Sequence, residues 1–522
     1  MFSTAELGQK LSKKDYKAIE PILREELLQL QRSLLEQTKT PVIVIFAGVD
    51  GGGKGETVQV LNAWMDARWL INRAYRNPSE DERERPEYWR YWRDLPPRGR
   101  IGLFLSSWYS KPVLDRVYGT ISVAELDERL DRIVAFENAL AEDGALILKF
   151  WMHLSKDAQK ARFKALEKDP LLSWQVTEKD WEHWRRYEDF TEAAERTIMR
   201  TNTGKAAWNI VEGANPYFRA ITVGKIIRDA IRKQLDDLET AKLSQSQSNK
   251  DETPDDAEQT APPQDDVGNA LPSTTLLSTL DMSLTLTKTD YKAKLKKYQG
   301  KLNLLHRESM AKGISTIVVF EGPDAAGKGG AIRRLIGAID PHSYQVLPFA
   351  APTDEERAQH YLWRFWRHLS RAGDVTVFDR SWYGRVLVER VEGFANEAEW
   401  RRAYAEINEF EEQLIEHGIV LVKFWVHIDK DEQLNRFKER EVTPHKTWKL
   451  TDEDWRNREK WDVYESAAHD MFQYTSTRYS PWVLVEGNSK YYARVKVVKT
   501  MCDYLEKALK KKNNKNNKQS VN

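Results

Sequence analysis

Two glycine-rich stretches carry the residues best suited to phosphate chemistry, GPDAAGKGG from Gly322 to Gly330 and GVDGGGKGE from Gly48 to Glu56. Each has the Gly-x-x-x-x-Gly-Lys spacing in which loop amides cradle phosphate oxygens and the lysine reaches them as a mobile charge. Such loops ordinarily continue with Ser or Thr, whose hydroxyl sits on the magnesium of a bound nucleotide. Here Gly329 follows Lys328 and Gly55 follows Lys54, so both loops lack the hydroxyl. A random lesion in one loop does not explain the same departure twice. Each loop carries an aspartate instead, Asp324 or Asp50. A tight glycine turn without a ligand would not require strand, loop, Gly-Lys and helix in that order, and all four occur here.

Two further features belong with the loops. The run VTVF ends in Asp379, followed at once by Arg380. An aspartate at the end of a buried strand is where nucleotide kinases and ATPases hold magnesium. Asp324 and Asp379 could together replace the missing hydroxyl, since magnesium commonly takes one or two carboxylates with waters and phosphates. Asp379 could also cap the helix that follows, a position that favours aspartate. The second feature is LNRFKEREVTPHKTWKLTDEDW, residues 434–455. Arg436 and Arg440 are four apart and share a helix face, while Lys446 and Lys449 flank Trp448 after a proline. With Lys438 they put five cations into fourteen residues. A solvated helix face is the plain account of a charge run. These cations, however, follow the third strand, where a nucleotide kinase carries its lid, and could neutralise several phosphates at once.

Such residues converge only if strands and helices bring them together. In an open parallel sheet, ligands bind outside the carboxyl ends of the strands. IVVF at 317 runs into the second loop, and AIRRLIGAI beyond it sets Ile332, Leu335, Ile336 and Ile339 on one helical face. VTVF at 375, IVLVKFWV at 419 and WVLVEG at 482 read as further strands, separated by helical patterns such as EWRRAYAEINEFEEQLIEHG. VIVIF, LILKFW and WNIVEG repeat this grammar in the N-terminal half. Strand, crossover helix, strand predicts a parallel sheet with helices on both faces.

The two loops stand 274 residues apart, and that offset holds far beyond them. Trp89 falls on Trp363, Trp92 on Trp366, SWY at 107 on SWY at 381, KFW at 149 on KFW at 423, RFK at 162 on RFK at 436, and EG at 212 on EG at 486. Whole domains have been duplicated, rather than a short solenoid repeat. The expected fold is α/β: two tandem P-loop kinase-like domains, each a parallel sheet sandwiched by helices, with a helical lid. The expected boundaries are 1–240 for the first copy, 241–282 for a flexible linker, 283–510 for the second copy and 511–522 for a disordered basic tail. The linker is rich in Ser, Gln, Asp and Pro and cannot bury enough to offset its ordering entropy. Trp363, Trp366, Trp382 and Trp425 recur in the other copy and read as core packing, although one of them could stack a nucleobase.

Bulk composition sets outer limits. A chain of 522 residues, 41% hydrophobic and 11% aromatic, can build two or more cores. Lys and Arg number 81 against 80 Asp and Glu, so a polyanion site must come from local clustering and no nucleic-acid partner is expected. The single cysteine, Cys502, excludes an intramolecular disulfide and fits a reducing compartment. The N-terminal stretch lacks the apolar core of a secretory signal, no run approaches the roughly 20 apolar residues of a membrane span, and mean hydropathy is −0.66. A cytoplasmic protein with no membrane partner is the expectation.

With GxDxxGKG, DRSWYGR, RFKER and PHKTWK in order, the chain resembles the polyphosphate kinase 2 family, P-loop proteins acting on inorganic polyphosphate. In that family, glycine naturally follows the loop lysine. The resemblance implies catalytic roles for Asp324, Lys328, Asp379 and Arg380, with magnesium, or manganese in its place, held by Asp324 and Asp379. It implies substrate contacts from Gly322, Gly327, Gly329, Arg385 and Glu389, and polyphosphate contacts from Arg436, Arg440, Lys446 and Lys449. DRSWYGRVLVERVEGF resembles the subfamily that phosphorylates AMP; the ADP-phosphorylating type reads closer to DRSWYNRAGVERVMGF. Tandem duplication is likewise typical of the AMP-directed members. The implied activity moves the terminal phosphoryl group of polyphosphate to AMP, giving ADP. A polyphosphate-dependent ADP or GDP kinase, an ATP-dependent nucleotide kinase and a non-enzymatic polyphosphate binder are the alternatives. A homodimer is the natural assembly of such duplicated chains.

The copies are not chemically equal. Leu105 stands where Asp379 does and Ser106 where Arg380 does, and Leu166, Leu172 and Gln175 replace Arg440, Lys446 and Lys449. Asp50, Lys54 and Arg162 survive. Phosphoryl transfer depends on positioned charge, so one active site is expected, in the second copy. The first is expected to serve structure or assembly, with weak phosphate binding at Lys54 at most.

Overall fold

A computed structural model describes residues 1–37, 39–248, 275–443 and 452–519. Ten strands among them form two five-stranded sheets, one in each copy. The first holds β1 (Val42–Gly48), β2 (Leu70–Ala74), β3 (Ile101–Leu105), β4 (Leu146–His153) and β5 (Trp208–Glu212), in the order β2-β3-β1-β4-β5. The second holds β6 (Thr316–Glu321), β7 (Tyr344–Pro348), β8 (Val375–Asp379), β9 (Val420–His427) and β10 (Trp482–Glu486), in the order β10-β9-β6-β8-β7. Read from the same edge the two orders are identical, and every pairing is parallel. The α/β expectation and the duplication are both met.

Central strands explain themselves. β1 and β6 are runs of Val, Ile and Phe buried on both faces, as a sheet covered on both sides requires. The edge strands β2 and β7, LINRA and YQVLP, are mostly half-buried or exposed and carry no apolar run. Helices cover the sheets through stripes of helical spacing. In Glu397–Glu416 the buried residues include Ala403, Tyr404, Ile407, Phe410, Glu411 and Leu414, and the helix starts on a reciprocal Asn396–Glu399 capping box. The helices Lys13–Gln37 and Pro216–Ser248 pack together in one copy, and Lys288–Ala311 and Lys490–Gln519 in the other.

Two compact units result, and each takes in a short piece of the other half of the sequence: Asp354–His360 joins the first unit and Ser79–Trp89 the second. The helix Pro216–Ser248 runs past residue 241, where the composition turns linker-like, and Lys490–Gln519 continues as helix through most of the stretch expected to be an unstructured tail. Residues 249–274 of that linker lie outside the described residues.

A buried polar network is built twice. Lys423 Nζ on β9 donates to Glu411 Oε2 at 2.7 Å, Tyr383 Oη at 2.9 Å and Thr475 O at 2.9 Å, while Trp382 and Tyr383 donate to the other carboxylate oxygen. Lys149, Glu137, Tyr109, Trp108 and Thr201 repeat it in the first copy. Full satisfaction of both ions is what lets them stay inside, and the network locks the segment after the third strand to the fourth. Trp363, Trp366, Trp382 and Trp425 are all buried, as core residues.

Candidate active site

The loop after β6 takes its shape from two glycines and one strained alanine. Gly322 has φ 135°, and a Cβ there would overlap Val426 O on β9, so only glycine lets the chain leave the strand so close to its neighbour. Ala325 is left-handed at φ 62°, and Gly327, at φ 107°, is the N-cap of the helix Lys328–Ile336. The amides of that helix start face the ligand space, where its dipole favours negative charge. Lys328 Nζ folds back to Gly322 O at 2.5 Å and Pro323 O at 3.2 Å. Gly329 has nothing within 4 Å of where a Cβ would stand. Packing therefore does not exclude a Ser or Thr after the lysine.

Asp324 is clamped from two sides. Arg380 Nη2 donates to its Oδ1 at 2.9 Å and Asn457 Nδ2 to its Oδ2 at 2.9 Å. Burial works against its charge, but Lys328, Arg380 and Asn457 outweigh it and hold its pKa below the usual carboxylate range. Asp379 ends β8, half-buried, and lines the same cleft. Arg380 follows with a left-handed φ of 65°, its N–H donating to Phe320 O at 3.1 Å. A non-glycine residue held there stores strain, and the surroundings must enforce it. Glu321 does so: its Oε1 accepts from Ser381 N and Ser381 Oγ, each at 2.8 Å. Burial raises the pKa of Glu321, against the pull of Lys328, Ser381 and Arg380. The sequence reading passed over this carboxylate, although its counterpart in the first copy is Ala47.

The cleft beside the loop has a volume of about 780 Å³. Among the described residues seven cations line it, Lys328, Arg333, Arg380, Arg436, Arg440, Lys490 and Arg494, against four carboxylates, Asp324, Asp379, Glu439 and Asp454. In a chain whose net charge is +1, this concentration of positive charge is local and selects a polyanion. Arg333, Lys490 and Arg494 went unnoticed in the sequence; the offset could have found them, because Gln59, Pro216 and Ala220 stand opposite. Of the seven cations the first copy keeps only Lys54 and Arg162.

The expected binding residues divide. Arg440 lines the cleft and pairs with Asp454 at 3.9 Å. Arg436 also reaches it but is buried, and every guanidinium N–H is engaged: Nε with Glu432, Nη1 with Ala325 O and Ala326 O, Nη2 with Gly487 O and Asn488 O. Through Ala325 O and Ala326 O it clamps the loop. Arg385 and Glu389 pair with each other at 3.2 Å, and neither lines this cleft or the cavity of about 40 Å³ that shares Asp324, Arg380 and Asn457 with it. That smaller cavity is walled by Glu321, Arg380, Leu387, Asn457, Trp461 and Tyr464, among others. Lys446 and Lys449 lie outside the described residues.

Among the described residues no three His, Cys, Asp or Glu side chains cluster to hold a metal by themselves. Asp324 and Asp379, two carboxylates on one cleft, are instead a donor set that fits magnesium, which takes one or two carboxylates and completes its shell with phosphates and water.

The first copy keeps the backbone and lacks most of the charged side chains. Gly48, Gly51 and Gly53 are left-handed where Gly322, Ala325 and Gly327 are, and Ser106 holds φ 52° at the position of Arg380. Lys54 folds onto Gly48 O and Val49 O as Lys328 does. Asp50 bonds to His183 Nδ1 at 2.6 Å, and with Ala47 in place of Glu321 the buried Ser107 Oγ has no hydrogen-bond partner among the described residues.

The polyphosphate kinase 2 family model matches residues 10–239 and 285–513. Over 511 residues the chain is 48% identical to a polyphosphate:AMP phosphotransferase of Pseudomonas aeruginosa, covering 98% of this chain and 100% of that one. A polyphosphate:AMP phosphotransferase of Acinetobacter johnsonii is 35% identical over 497 residues, covering 92% and 95%. A GDP-polyphosphate phosphotransferase of Mycolicibacterium smegmatis is 39% identical over 210 residues, only 40% of this chain and 74% of that one. A crystal structure described as a polyphosphate kinase 2 from Pseudomonas aeruginosa superposes with a TM-score of 0.85 at 46% identity, covering 98% of this chain and 100% of that one. The duplicated sheet, the two loops and the matches over both halves agree: the chain belongs to the polyphosphate kinase 2 family.

Proposed function

We propose that the chain is a phosphotransferase that moves the terminal phosphoryl group of inorganic polyphosphate to the phosphate of AMP, giving ADP and a polyphosphate one unit shorter. The observation that carries this reading is the cleft of the second copy, where a phosphate loop and a strand-end Asp-Arg pair meet seven cations. The acceptor follows from the relatives that match the chain over its whole length, which are named for AMP, whereas those named for GDP match less than half of it.

The loop amides and Lys328 hold phosphates at the helix start. Arg380, tied to Asp324, faces the transferring group, and Arg333, Arg440, Lys490 and Arg494 line the way for a chain of further phosphates. Asp324 and Asp379 would hold magnesium, which supplies charge neutralisation between donor and acceptor. AMP's phosphate is already largely ionised at pH 7, with a second pKa of about 6, so the acceptor oxygen needs little help from a base. The reaction is then mostly positioning and electrostatics, which this chain's residues provide.

The reading puts the enzyme in the cytoplasm, a reducing compartment suited to a chain whose one cysteine, Cys502, is a buried free thiol. No helix among the described residues is long and apolar enough to cross a membrane. A homodimer is its natural assembly, to be checked by light scattering. Parallel incubations with polyphosphate, magnesium and either AMP or ADP, followed by chromatography, test the activity. ADP should appear from AMP; ATP formed from ADP with AMP untouched would sink the acceptor assignment.

A further inference from the structure

The first copy keeps the loop, its aspartate and its lysine, and a cavity remains on Asp50 and Lys54, yet the helix start just beyond the lysine is not free. Glu56 stands at the position of Gly330, in the first turn of the helix Lys54–Trp64, where the helix start favours negative charge. One of its carboxylate oxygens accepts from Arg162 Nη2 and the other from Arg219 Nη2. Arg162 is the counterpart of Arg436, but Ala493 stands where Arg219 does. Arg219 is only 4% exposed, donates to Gly213 O at 2.7 Å, and lies so close over Gly53 that a Cβ there would overlap its guanidinium. In the second copy the corresponding space is open. Gly330 has no side chain, a Cβ there would come within 3.2 Å of Arg494 Nη2, and Gly329, Gly330, Arg436 and Arg494 all line the cleft. The cavity beside the first loop, about 210 Å³, is lined by none of Glu56, Arg162 and Arg219.

A carboxylate held between two guanidinium groups at a helix start presents to them what a phosphate would present. We infer that Glu56 is a built-in anion filling the phosphate cradle of the first copy, so that this copy does not take polyphosphate although Asp50, Lys54 and the glycines survive. Relative to the second copy, the differences at 56 and 219 act as a pair. A buried guanidinium needs a negative partner, and Glu56 supplies it without a ligand. The same need makes the closure reversible: without Glu56, Arg219 is left for an external phosphate to satisfy.

Titration of the full-length protein with tripolyphosphate in a calorimeter tests this. Wild type should bind one tripolyphosphate per chain, and Glu56→Gly, which copies the residue of the second loop, should bind two. The added site should disappear when Arg219→Ala is combined with Glu56→Gly, and the rate of ADP formation should not change. A wild-type stoichiometry of two, or a stoichiometry of one for Glu56→Gly, would overturn the inference. Should Glu56→Gly not fold, Glu56→Gln is expected to gain a second site at least about tenfold tighter than any in wild type, and no gain would overturn it as well. Binding at the second copy is read apart, as the stoichiometry lost in Lys328→Ala. Its absence would count against the proposed function and not against the filled cradle.

Discussion

Arg380 Nη2 donates to Asp324 Oδ1 at 2.9 Å, tying the residue after β8 to the loop after β6. The first copy has no such tie, since Ser106 stands at the arginine's position and Asp50 turns to His183. The contact joins the two parts that phosphoryl transfer needs in fixed relation, the phosphate loop and the strand-end charge pair.

Arg380→Ala should therefore lower kcat for ADP formation by about 10²- to 10³-fold, the cost of removing one preorganised charge. Arg380→Lys should recover only part of this, because an ammonium cannot hold Asp324 and a phosphate in one planar fork. Steady-state rates check both; a kcat within twofold of wild type for Arg380→Ala would remove this arginine from the mechanism.

Glu321 is buried, does not line the cationic cleft and acts through the turn it holds. Glu321→Ala should drop kcat by about 10- to 100-fold with little change in the KM for AMP, since a small displacement of a charged group is that costly. Glu321→Gln keeps an acceptor for Ser381 and should restore most of the rate. If the alanine and glutamine variants behaved alike, the hydrogen bonds to Ser381 would not be what matters.

Arg436 and Arg440 sit one helical turn apart and should fail differently. Arg436→Ala strips partners from four backbone carbonyls and should cost about 2–4 kcal/mol in urea unfolding. Arg440→Ala should stay within about 1 kcal/mol of wild type and raise the KM for polyphosphate, more at low salt than at high. Unfolding and KM measured on both variants separate the clamp from the ligand contact.

Asp50 gives a pH signature to the first copy. Burial alone would raise its pKa, but Lys54 and His183 outweigh it and hold it down from 3.8 to about 2. The folded value lies below the unfolded one, so the stabilisation is fully present above about pH 4 and is lost as pH falls toward 2. Asp50→Asn should thus destabilise the first unit by about 1–2 kcal/mol at pH 7. The gap to wild type should shrink when unfolding is repeated at pH 3, and a gap that grew would reverse the sign of this account.

The sheet was legible wherever burial on both faces forces a run of Val, Ile and Phe, as in β1, β6, β8 and β9. The edge strands β2 and β7 are half-exposed and mixed in sequence, so no pattern marked them. That Asp324, Lys328, Asp379 and Arg380 would meet at one cleft was readable because loop and strand end constrain residue type. For Arg436, periodicity gives the helix face but not that carbonyls of the loop and of Gly487 would engage its donors. Glu321, Arg333, Lys490 and Arg494 come from three separate elements, and only their differences from the first copy could have singled them out.

The central claim, one working site in a duplicated chain, is tested most directly by ADP formation from AMP and polyphosphate in two matched variants. Lys328→Ala should lose about 10³-fold in rate, as expected for a phosphate-holding charge, while Lys54→Ala should keep the wild-type rate. Equal losses in the two variants, or a loss confined to Lys54→Ala, would contradict it.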